Sequence, residues 1–436
     1  MWSTIWALAL PPWILGHAIA SESSAVGSPD ESLTPHPQQV YQTEQTVFIL
    51  TENTTSQPPD HRHLIEKTRL LQRLSPTHGR WNEHHPRHRL LEALRGFSSY
   101  TETNLAELNR LKGLYNHVPK HQKTLLEKAI SYTTKFTSIT NLIAENQNLC
   151  NGIVQNALTF YNISRAELDQ HTKAMRDAGR PADRTSVSQA LRHLVRDWAV
   201  EGSSERDAAF PCITKALERL IHHTQGDEPK ALLPGAGLGR LGHEISKLGF
   251  EVTNNEWSMY QNVVYRFLEA GGGDMVYPFI DSWSHHGTTD NMLRGVSFPD
   301  TTLGNRGVAL VEGDFTTVFG DETGHFDIVV THFFIDTARN VMSYLETILR
   351  VLKPGGYWVN FGPLLYGSAP FVQFSLEEVI HVAEAMGFVF GDVPDGCGEA
   401  SLPGKKAYGV EAAYGFDVRA LTKNAYDAQF WVAKRP

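Results

Sequence analysis

Hydrophobic and polar positions repeat with two different periods along the chain, and the period changes near the middle. Between about residues 61 and 185, apolar residues recur every three or four positions, as in Leu105, Leu108, Leu111 and Leu114. This spacing puts them on one face of a helix and predicts a helical region of about four helices. Beyond a further helical stretch at about 186–220, short apolar runs alternate with helical patterns. That alternation predicts a mostly parallel sheet with helices on both faces.

The same changes in pattern predict the domain organisation. Residues 1–20 are apolar and resemble a leader, but two prolines interrupt them and no basic segment precedes them, so cleavage is left open. Residues 21–60 are rich in Ser, Thr, Pro and Gln and are predicted to be a disordered linker. A helical N-terminal region over 61–185 precedes an α/β domain over 186–436. Within that domain, the composition of residues 271–305 indicates an insertion between strands, either a lid or an excursion over the surface.

Composition limits the classes of partner and of metal site. The net charge is −9 and no dense run of lysine and arginine occurs, so nucleic acid is a poor candidate. After residue 20 no segment is long and apolar enough to cross a bilayer, and no firm membrane contact is expected. Cys150, Cys212 and Cys397 are widely scattered, which predicts neither a disulfide framework nor a zinc site. Three histidines within 84–88 have arginine and proline neighbours and are interpreted as solvated, so no metal site is predicted.

A glycine-rich turn between two predicted strands gives the strongest indication of chemistry. Gly235, Gly237 and Gly239 follow an apolar run, and a helix over about 239–248 comes next. Glycines let the backbone turn sharply and approach a ligand without a Cβ in the way. Glu256 ends the second strand about 20 residues later, where such folds place a carboxylate for both ribose hydroxyls. This order predicts an adenosine-cofactor site.

The glycine run also fits a second register. Gly237, Gly239 and Gly242 match the G-x-G-x-x-G fingerprint of dinucleotide-binding proteins. An NAD-dependent dehydrogenase is therefore an alternative.

Two later strands end in residues that would face the same crevice. Asp314 and Phe315 follow an apolar strand, where the carboxylate could accept the amine of adenine and the ring could pack on it. A helix N-cap and a core phenylalanine are the structural alternative for this pair. His332 and Asp336 follow the next strand and are expected at the same edge of the sheet. A helix N-cap is again the alternative for Asp336.

Several of these segments together carry a family resemblance. They are PGAGLGRL at 234–241, NEWS at 255–258, GDF at 313–315, FFIDTA at 333–338, LKPGG at 352–356, NFGPLLY at 360–366, and VRDW at 195–198. This set resembles the carnosine N-methyltransferase family, the N2227-like group of S-adenosylmethionine-dependent enzymes. The resemblance covers roughly residues 100–436. It implies a Rossmann-like class I methyltransferase fold with a mostly parallel sheet, preceded by an N-terminal helical region. It also implies methyl transfer to the imidazole of carnosine, giving anserine, or to a related histidine-containing small peptide.

By this resemblance, nine residues would hold the cofactor S-adenosyl-L-methionine: His193, Arg196, Gly235, Gly237, Gly239, Glu256, Asp314, Phe315 and His332. Arg196 suits the methionine carboxylate because a guanidinium can bind a carboxylate with two parallel hydrogen bonds. A salt bridge with Asp197 or Glu201 is the alternative for Arg196.

The resemblance also implies the residues around the methyl acceptor. Asp336 would be catalytic and would bind the substrate imidazole, with Tyr414 and Tyr426 lining the substrate pocket. A neutral imidazole, with a pKa of about 6.5, already has a nucleophilic lone pair. The enzyme therefore has to align the reacting atoms and fix the tautomer, and a carboxylate that accepts the far N–H does the second.

The chain departs from the family at three positions. Family members have Gln, Cys and His where this chain has His193, His332 and Gly367. These differences motivate a third alternative, a catalytically silent methyltransferase fold that acts as a binding module.

Two features of the chain point to different locations. The family implies a cytoplasmic or nuclear location, whereas the apolar segment 1–20 suggests secretion. A small-molecule or dipeptide substrate is the expected partner, and a homodimer is an open hypothesis.

Overall fold

The computed structural model describes residues 61–223, 228–303, 307–367 and 369–436. The predicted leader at 1–20 and linker at 21–60 lie outside the described residues. The helices are α1 (His61–Arg73), α2 (Pro86–Ser98), α3 (Tyr100–Asn116), α4 (Lys120–Ile130), α5 (Thr134–Phe160), α6 (Arg165–Asp177), α7 (Arg184–Trp198), α8 (Ser203–Leu220), α9 (Arg240–Ser246), α10 (Met259–Glu269), α11 (Thr289–Leu293), α12 (Phe315–Val318), α13 (Val341–Val351) and α14 (Leu376–Ala385). The strands are β1 (Lys230–Pro234), β2 (Glu251–Glu256), β3 (Asp274–Val276), β4 (Val296–Phe298), β5 (Val308–Glu312), β6 (Phe326–His332), β7 (Leu352–Gly362), β8 (Val389–Phe390), β9 (Glu399–Ala400), β10 (Tyr408–Ala413) and β11 (Ala425–Lys434).

The main sheet has the strand order β5-β2-β1-β6-β7-β11-β10-β9. The first five strands are parallel, and β11 and β10 add an antiparallel hairpin. Side chains alternate across the sheet. Leu232 joins the apolar cluster that contains helix α13, whereas its neighbour Leu233 joins the cluster that contains helix α8. The predicted Rossmann-like α/β fold, with a mostly parallel sheet covered on both faces, is confirmed. Because the strand order reverses beside β1, a crevice opens at its carboxyl end.

Residues 61–177 contain six helices rather than the predicted four or so. Periodicity did not reveal all the breaks, since α2 and α3 are separated by one residue and α3, α4 and α5 by three residues each. Helix α1 lies along the edge strand β5, where His63 Nε2 is 2.9 Å from the Val308 carbonyl oxygen. Covering an edge strand in this way protects its unpaired backbone groups. Of the helices described, none has both the length and the apolar character that a bilayer span requires.

The insertion at 271–305 packs in part against the N-terminal helices. Strands β3 and β4 form a separate antiparallel pair. Val276 and Phe279 belong to the same apolar cluster as helix α5. The buried Asn146 side chain holds Tyr277 through two backbone hydrogen bonds of 2.9 Å. This part of the insertion is therefore anchored in a core, not laid over the surface.

The prediction that no cysteines pair is wrong. Cys212 on α8 and Cys397 before β9 form a disulfide with a Cα–Cα distance of 5.6 Å. The two residues are 185 positions apart, so sequence spacing gave no sign of the bond. Cys150 is free and buried.

Reduction of this disulfide should destabilise the fold markedly. A cross-link that closes a loop of this length is expected to contribute about 5 kcal/mol to the free energy of unfolding. Denaturant unfolding with and without a reductant measures the effect. The variant Cys397→Ser should match the reduced protein and should not respond to reductant. A wild-type protein that is equally stable under both conditions would contradict the bond.

The interpretation of the histidines at 84–88 as solvated is also wrong in part. His84 is exposed, as expected, but His85 and His88 are buried, at 3% and 8% exposure. His85 is the N-cap of α2 and accepts a hydrogen bond from the Arg87 amide. Burial follows from the packing of α2 against α6, which the local sequence does not reveal.

Candidate functional site

The glycine turn joins β1 to α9 at the carboxyl edge of the sheet. Gly235, Gly237 and Gly239 all have positive φ, at 66°, 57° and 77°. A Cβ on Gly235 would lie 2.3 Å from the Phe334 ring, so this glycine is required by packing. A Cβ on Gly237 would have Arg196 Nη2 at 3.5 Å as its nearest neighbour, so this glycine faces the polar side of the crevice.

The C-terminal end of α7 holds the glycine turn. The Leu238 amide donates to Asp197 Oδ2 at 3.3 Å, and the Trp198 indole N–H donates to the Leu238 carbonyl at 2.8 Å. Both side chains are buried. Adjacent residues of α7 therefore fix the turn and bring Arg196 next to it.

Arg196 forms a salt bridge with Asp197, which was the structural alternative for this residue, and keeps N–H donors that this salt bridge does not use. Its Nε and Nη2 donate to Asp197 at 2.7 and 3.3 Å, and Nη1 donates to the Tyr414 hydroxyl at 3.1 Å. These bonds use three of the five N–H groups of a guanidinium. Within the described part of the chain, one N–H on each Nη has no further partner. These remaining N–H groups are available to a carboxylate.

Glu256 joins the glycine turn to the turn after β2. Its Oε2 accepts from the Gly237 amide at 2.9 Å, and its Oε1 accepts from the Ser258 amide at 2.7 Å. Burial raises the pKa of Glu256, although these amides oppose the shift. A carboxylate has about four acceptor positions, so Glu256 keeps acceptor capacity for a ligand hydroxyl.

Asp314 and Phe315 have the structural roles that were the alternatives to adenine binding, a helix N-cap and a core phenylalanine. Asp314 is the N-cap of α12 and accepts from the Thr316 amide at 2.8 Å. Phe315 is buried against the rings of Phe334 and Tyr344. Their position after β5 still puts both residues at the edge of the crevice, so their contact with adenine stays a prediction.

Arg89, on helix α2, reaches the same edge of the sheet. It was not predicted from the sequence as a site residue. Its guanidinium lies 3.6 Å from the centre of the Trp257 ring and donates to the Trp257 carbonyl. Burial lowers the pKa of Arg89 to about 10, and the charges of Glu256 and Asp314 partly offset this. No sequence motif surrounds Arg89, since its place depends on how α2 packs on the α/β domain.

Asp336 lies within a short 3₁₀ helix (Ile335–Thr337) after β6 and does not cap a helix. Its side chain is buried at 6% exposure, and Oδ2 accepts from the Leu365 amide at 3.0 Å. Burial raises its pKa to about 7, although the hydrogen bonds from backbone amides lower it. Asp336 thus ties the segment after β7 to the crevice and is poised to gain or lose a proton near neutral pH.

An aromatic wall lies near Asp336: burial, and then the charges of Tyr414 and Asp336, raise the pKa of Tyr426, one of the members of this wall. Tyr414 stacks on Phe333 with ring centres 5.0 Å apart, and Tyr426 meets both rings at 5.9 Å. The loop behind Tyr414 is fixed by Glu205, which accepts from the amides of Gly415 and Phe416 at 3.0 and 2.6 Å. Glu205 comes from α8, so tertiary packing positions this wall, as it positions Arg89.

His193 and His332 flank Arg196 and are neutral at neutral pH. Burial, and then the charge of Arg196, lowers the pKa of His193 to about 4 and that of His332 to about 3. His193 Nδ1 is 2.8 Å from the Gln189 carbonyl oxygen, which favours the tautomer protonated at Nδ1. The two rings add polar surface here without adding positive charge.

Comparison with known proteins settles the family of this chain. A family model described as carnosine N-methyltransferase matches residues 174–436. The chain belongs to the carnosine N-methyltransferase family. The mouse (Mus musculus) carnosine N-methyltransferase is 30% identical over 315 residues, which cover 68% of this chain and 76% of the mouse protein. The Schizosaccharomyces pombe carnosine N-methyltransferase is 32% identical over 275 residues, covering 57% of this chain and 70% of the yeast protein.

Among solved structures, a glycopeptide N-methyltransferase complexed with sinefungin is similar over 52% of this chain and 94% of its own, with 17% identity and a TM-score of 0.30. Family membership makes the chain an S-adenosylmethionine-dependent methyltransferase. The dehydrogenase alternative is therefore wrong. Gly242, its third glycine, instead lies within α9, where a Cβ would meet Asn254 Oδ1 at 2.2 Å.

The crevice has the features that S-adenosylmethionine requires. The remaining N–H groups of Arg196 suit the carboxylate of the methionine part, and the buried carboxylate of Glu256 suits ribose hydroxyls. Gly237 leaves the space between them without a side chain. These residues fit the cofactor.

Proposed function

We propose that this methyltransferase methylates the imidazole of carnosine, giving anserine, or of a related histidine-containing small peptide. The observation that supports this most is a buried carboxylate, Asp336, with a pKa of about 7 near the aromatic wall of Phe333, Tyr414 and Tyr426. Such a group can accept the N–H of a neutral azole and then balance the imidazolium that methylation creates.

In this proposal the cofactor end of the crevice is formed by all nine residues expected from the sequence. Arg196 binds the carboxylate, Glu256 binds the ribose, and Asp314 and Phe315 hold the adenine. Gly235, Gly237 and Gly239 shape the turn, while His193 and His332 line the space near Arg196. S-adenosylmethionine supplies an electrophilic methyl group on a positively charged sulfur. Neutral histidines suit this place, because further positive charge would repel the sulfonium.

At the acceptor end, Asp336 is the catalytic residue in this proposal. Its Oδ2 is held by the Leu365 amide, so the carboxylate has a fixed orientation before a substrate enters. Accepting the far imidazole N–H leaves the other ring nitrogen with its lone pair aimed outward. Tyr414 and Tyr426 exclude water around the ring, which strengthens the contact between the carboxylate and the growing positive charge.

A methyl-transfer screen with labelled cofactor tests the activity directly. Carnosine, other histidine dipeptides and free amines serve as acceptors, and a product methylated on the imidazole is expected. The screen should include several peptides because the chain has Gly367 where the family has histidine. A Cβ at Gly367 would have no atom within 4 Å, so the glycine leaves room beside Tyr366. Cofactor binding without transfer to any imidazole peptide would favour the silent binding module instead.

Activity should rise steeply with pH below neutrality. Asp336 must lose its proton to accept the imidazole N–H, and burial raises its pKa to about 7. The substrate imidazole, with a pKa of about 6.5, must also be neutral. Since both reactive forms are deprotonated, the slope of log kcat/KM against pH should approach about 2 below pH 6. In Asp336→Asn the slope of the residual activity should fall to about 1; an unchanged slope would contradict the role.

Arg89 should support cofactor affinity from outside the family-matched region. Removing its cation–π contact with Trp257 in Arg89→Ala should weaken cofactor binding about tenfold and change kcat little. Calorimetric titration with S-adenosylmethionine measures this. Arg110→Ala, which removes an exposed arginine paired only with Glu107 among the described residues, is the control. Equal affinities in the two variants would show that Arg89 has no part in the site.

We also propose a cytoplasmic or nuclear location, where the methyl donor is made. The disulfide between Cys212 and Cys397 is a reason to test this, because such bonds are rare in reducing compartments. Sequencing the mature N-terminus, together with thiol labelling of the protein from cells, distinguishes the alternatives. A mature chain that begins near Ser21 would place the protein in the secretory pathway.

A further inference from the structure

A cluster of metal-ligating side chains lies in the helical region, away from the crevice. Among the residues that the structure describes, His88, Glu92 and His171 each offer one ligand atom, and these atoms lie within 4.8 Å of one another. His88 and Glu92 are four positions apart on α2, which puts them on one face of that helix. His171 comes from α6, which packs against α2.

The cluster is buried and incompletely bonded. His88 and His171 are only 8% and 9% exposed. His171 Nε2 lies 2.5 Å from Glu92 Oε1. His88 Nδ1 is buried and has no hydrogen-bond partner among the described residues. A buried polar nitrogen without a partner costs free energy, so an unpaired one in a native fold calls for an explanation such as an ion.

We infer that His88, Glu92 and His171 bind a divalent transition-metal ion, with zinc as the best match. Two imidazoles and one carboxylate form a ligand set typical of zinc. In a tetrahedral site with bonds of about 2.0–2.1 Å, ligand atoms are about 3.3 Å apart. In the structure the three ligand atoms already lie within 4.8 Å of one another, and His171 Nε2 is 2.5 Å from Glu92 Oε1. Zinc would replace the hydrogen bond between His171 Nε2 and Glu92 Oε1, and any proton displaced from these atoms would pass to solvent.

The surroundings supply the outer contacts that metal sites use. Arg95 holds the Glu92 carboxylate with two donors, Nη2 at 2.7 Å and Nε at 3.2 Å. Arg95 is in turn fixed by the carbonyl oxygens of Arg180 and Pro181 at 3.1 and 2.9 Å. Hydrogen bonds of this kind orient a ligating carboxylate and limit its motion.

A cavity next to the cluster gives an ion a path from solvent. It has a volume of about 560 Å³, and its walls include Trp81, His88, Met175 and Arg180. His88 is thus shared between the cavity and the cluster. With three protein ligands, zinc would keep one coordination position for a water molecule. The site would cross-link α2 to α6, and its occupation should stabilise the helical region.

Zinc titration of the full chain without an affinity tag, in competition with a chromophoric chelator, tests the inference. One equivalent should bind with a Kd below about 1 μM. His88→Phe keeps the ring packing against Trp81 and His171 and should weaken this binding at least about 100-fold. Glu92→Gln should do the same. His84→Ala, which removes an exposed histidine beside the same cavity, should bind as the wild type does.

The midpoint temperature of thermal unfolding is a second readout. It requires only the wild-type protein and the His84→Ala control. Zinc should raise the midpoint of both, because a ligand that binds only the folded state stabilises it. Wild-type protein that shows neither a one-equivalent binding step nor a rise in the midpoint would overturn the site, whether or not the variants fold. Equal weakening in His84→Ala and His88→Phe would overturn it as well.

Discussion

Asp336→Asn should lose most of its turnover while binding S-adenosylmethionine almost as tightly as the wild type. The amide keeps an acceptor oxygen for the Leu365 N–H, so the segment after β7 should stay in place. It carries no negative charge, however, and cannot balance an imidazolium. We expect kcat to fall by at least about 100-fold, in line with the loss of an electrostatic or acid–base group. Steady-state kinetics with carnosine and calorimetry with the cofactor provide the two measurements.

The companion variant Asp336→Ala separates the effect of the negative charge from the effect of positioning the segment after β7. Alanine removes both the negative charge and the acceptor for Leu365, so any further loss relative to Asp336→Asn reports the positioning of that segment. Cofactor affinity should stay within about twofold in both variants, because Arg196, the glycine turn and Glu256, which are proposed to bind the methionine part and the ribose, come from α7 and from the ends of β1 and β2 and not from β6. If turnover and cofactor affinity fell together, Asp336 would be a structural residue and the imidazole role would be wrong.

A residue whose place follows from the end of its own strand could be located from the sequence. Glu256 and His332 end strands β2 and β6, and Asp336 follows shortly after β6. In an open parallel sheet these ends lie at one edge, so locating each strand was enough to predict that edge for all three residues. The positive φ of the glycine turn is equally local, since only glycine adopts it at little cost.

The residues that sequence reasoning missed are placed by contacts between distant segments. Arg89 reaches Trp257, and Cys212 pairs with Cys397, only after helices from separate parts of the chain have packed. The burial of His88 depends on α6 in the same way. The apolar stripe of a helix identifies its buried face but not its partner. The periodicity of apolar residues and the spacing of motifs cannot reveal such residues.

Asp314 shows that a structural role and a functional role can fall on one residue. Its Oδ1 caps α12 through the Thr316 amide and also accepts from the Thr316 hydroxyl at 2.6 Å. A carboxylate held in this way has little freedom left to lose when it meets a ligand. Capping therefore supports the proposed contact with adenine, since preorganised acceptors bind at a smaller entropic cost.

Gly237→Val should reduce cofactor affinity at least about 100-fold. Valine would place a branched side chain beside Arg196 and Asp197, in the space proposed for the cofactor. It would also have to adopt a φ of 57°, a left-handed conformation that costs an L residue roughly 1–2 kcal/mol. Gly404→Val is the matched control, because Gly404 has a φ of 67° and no atom within 4 Å of a Cβ. The control should share the backbone strain and bind the cofactor normally. Calorimetry on both variants separates the effect of backbone strain from the effect of a side chain in the cofactor space. Normal binding by Gly237→Val would show that the glycine turn does not hold the cofactor.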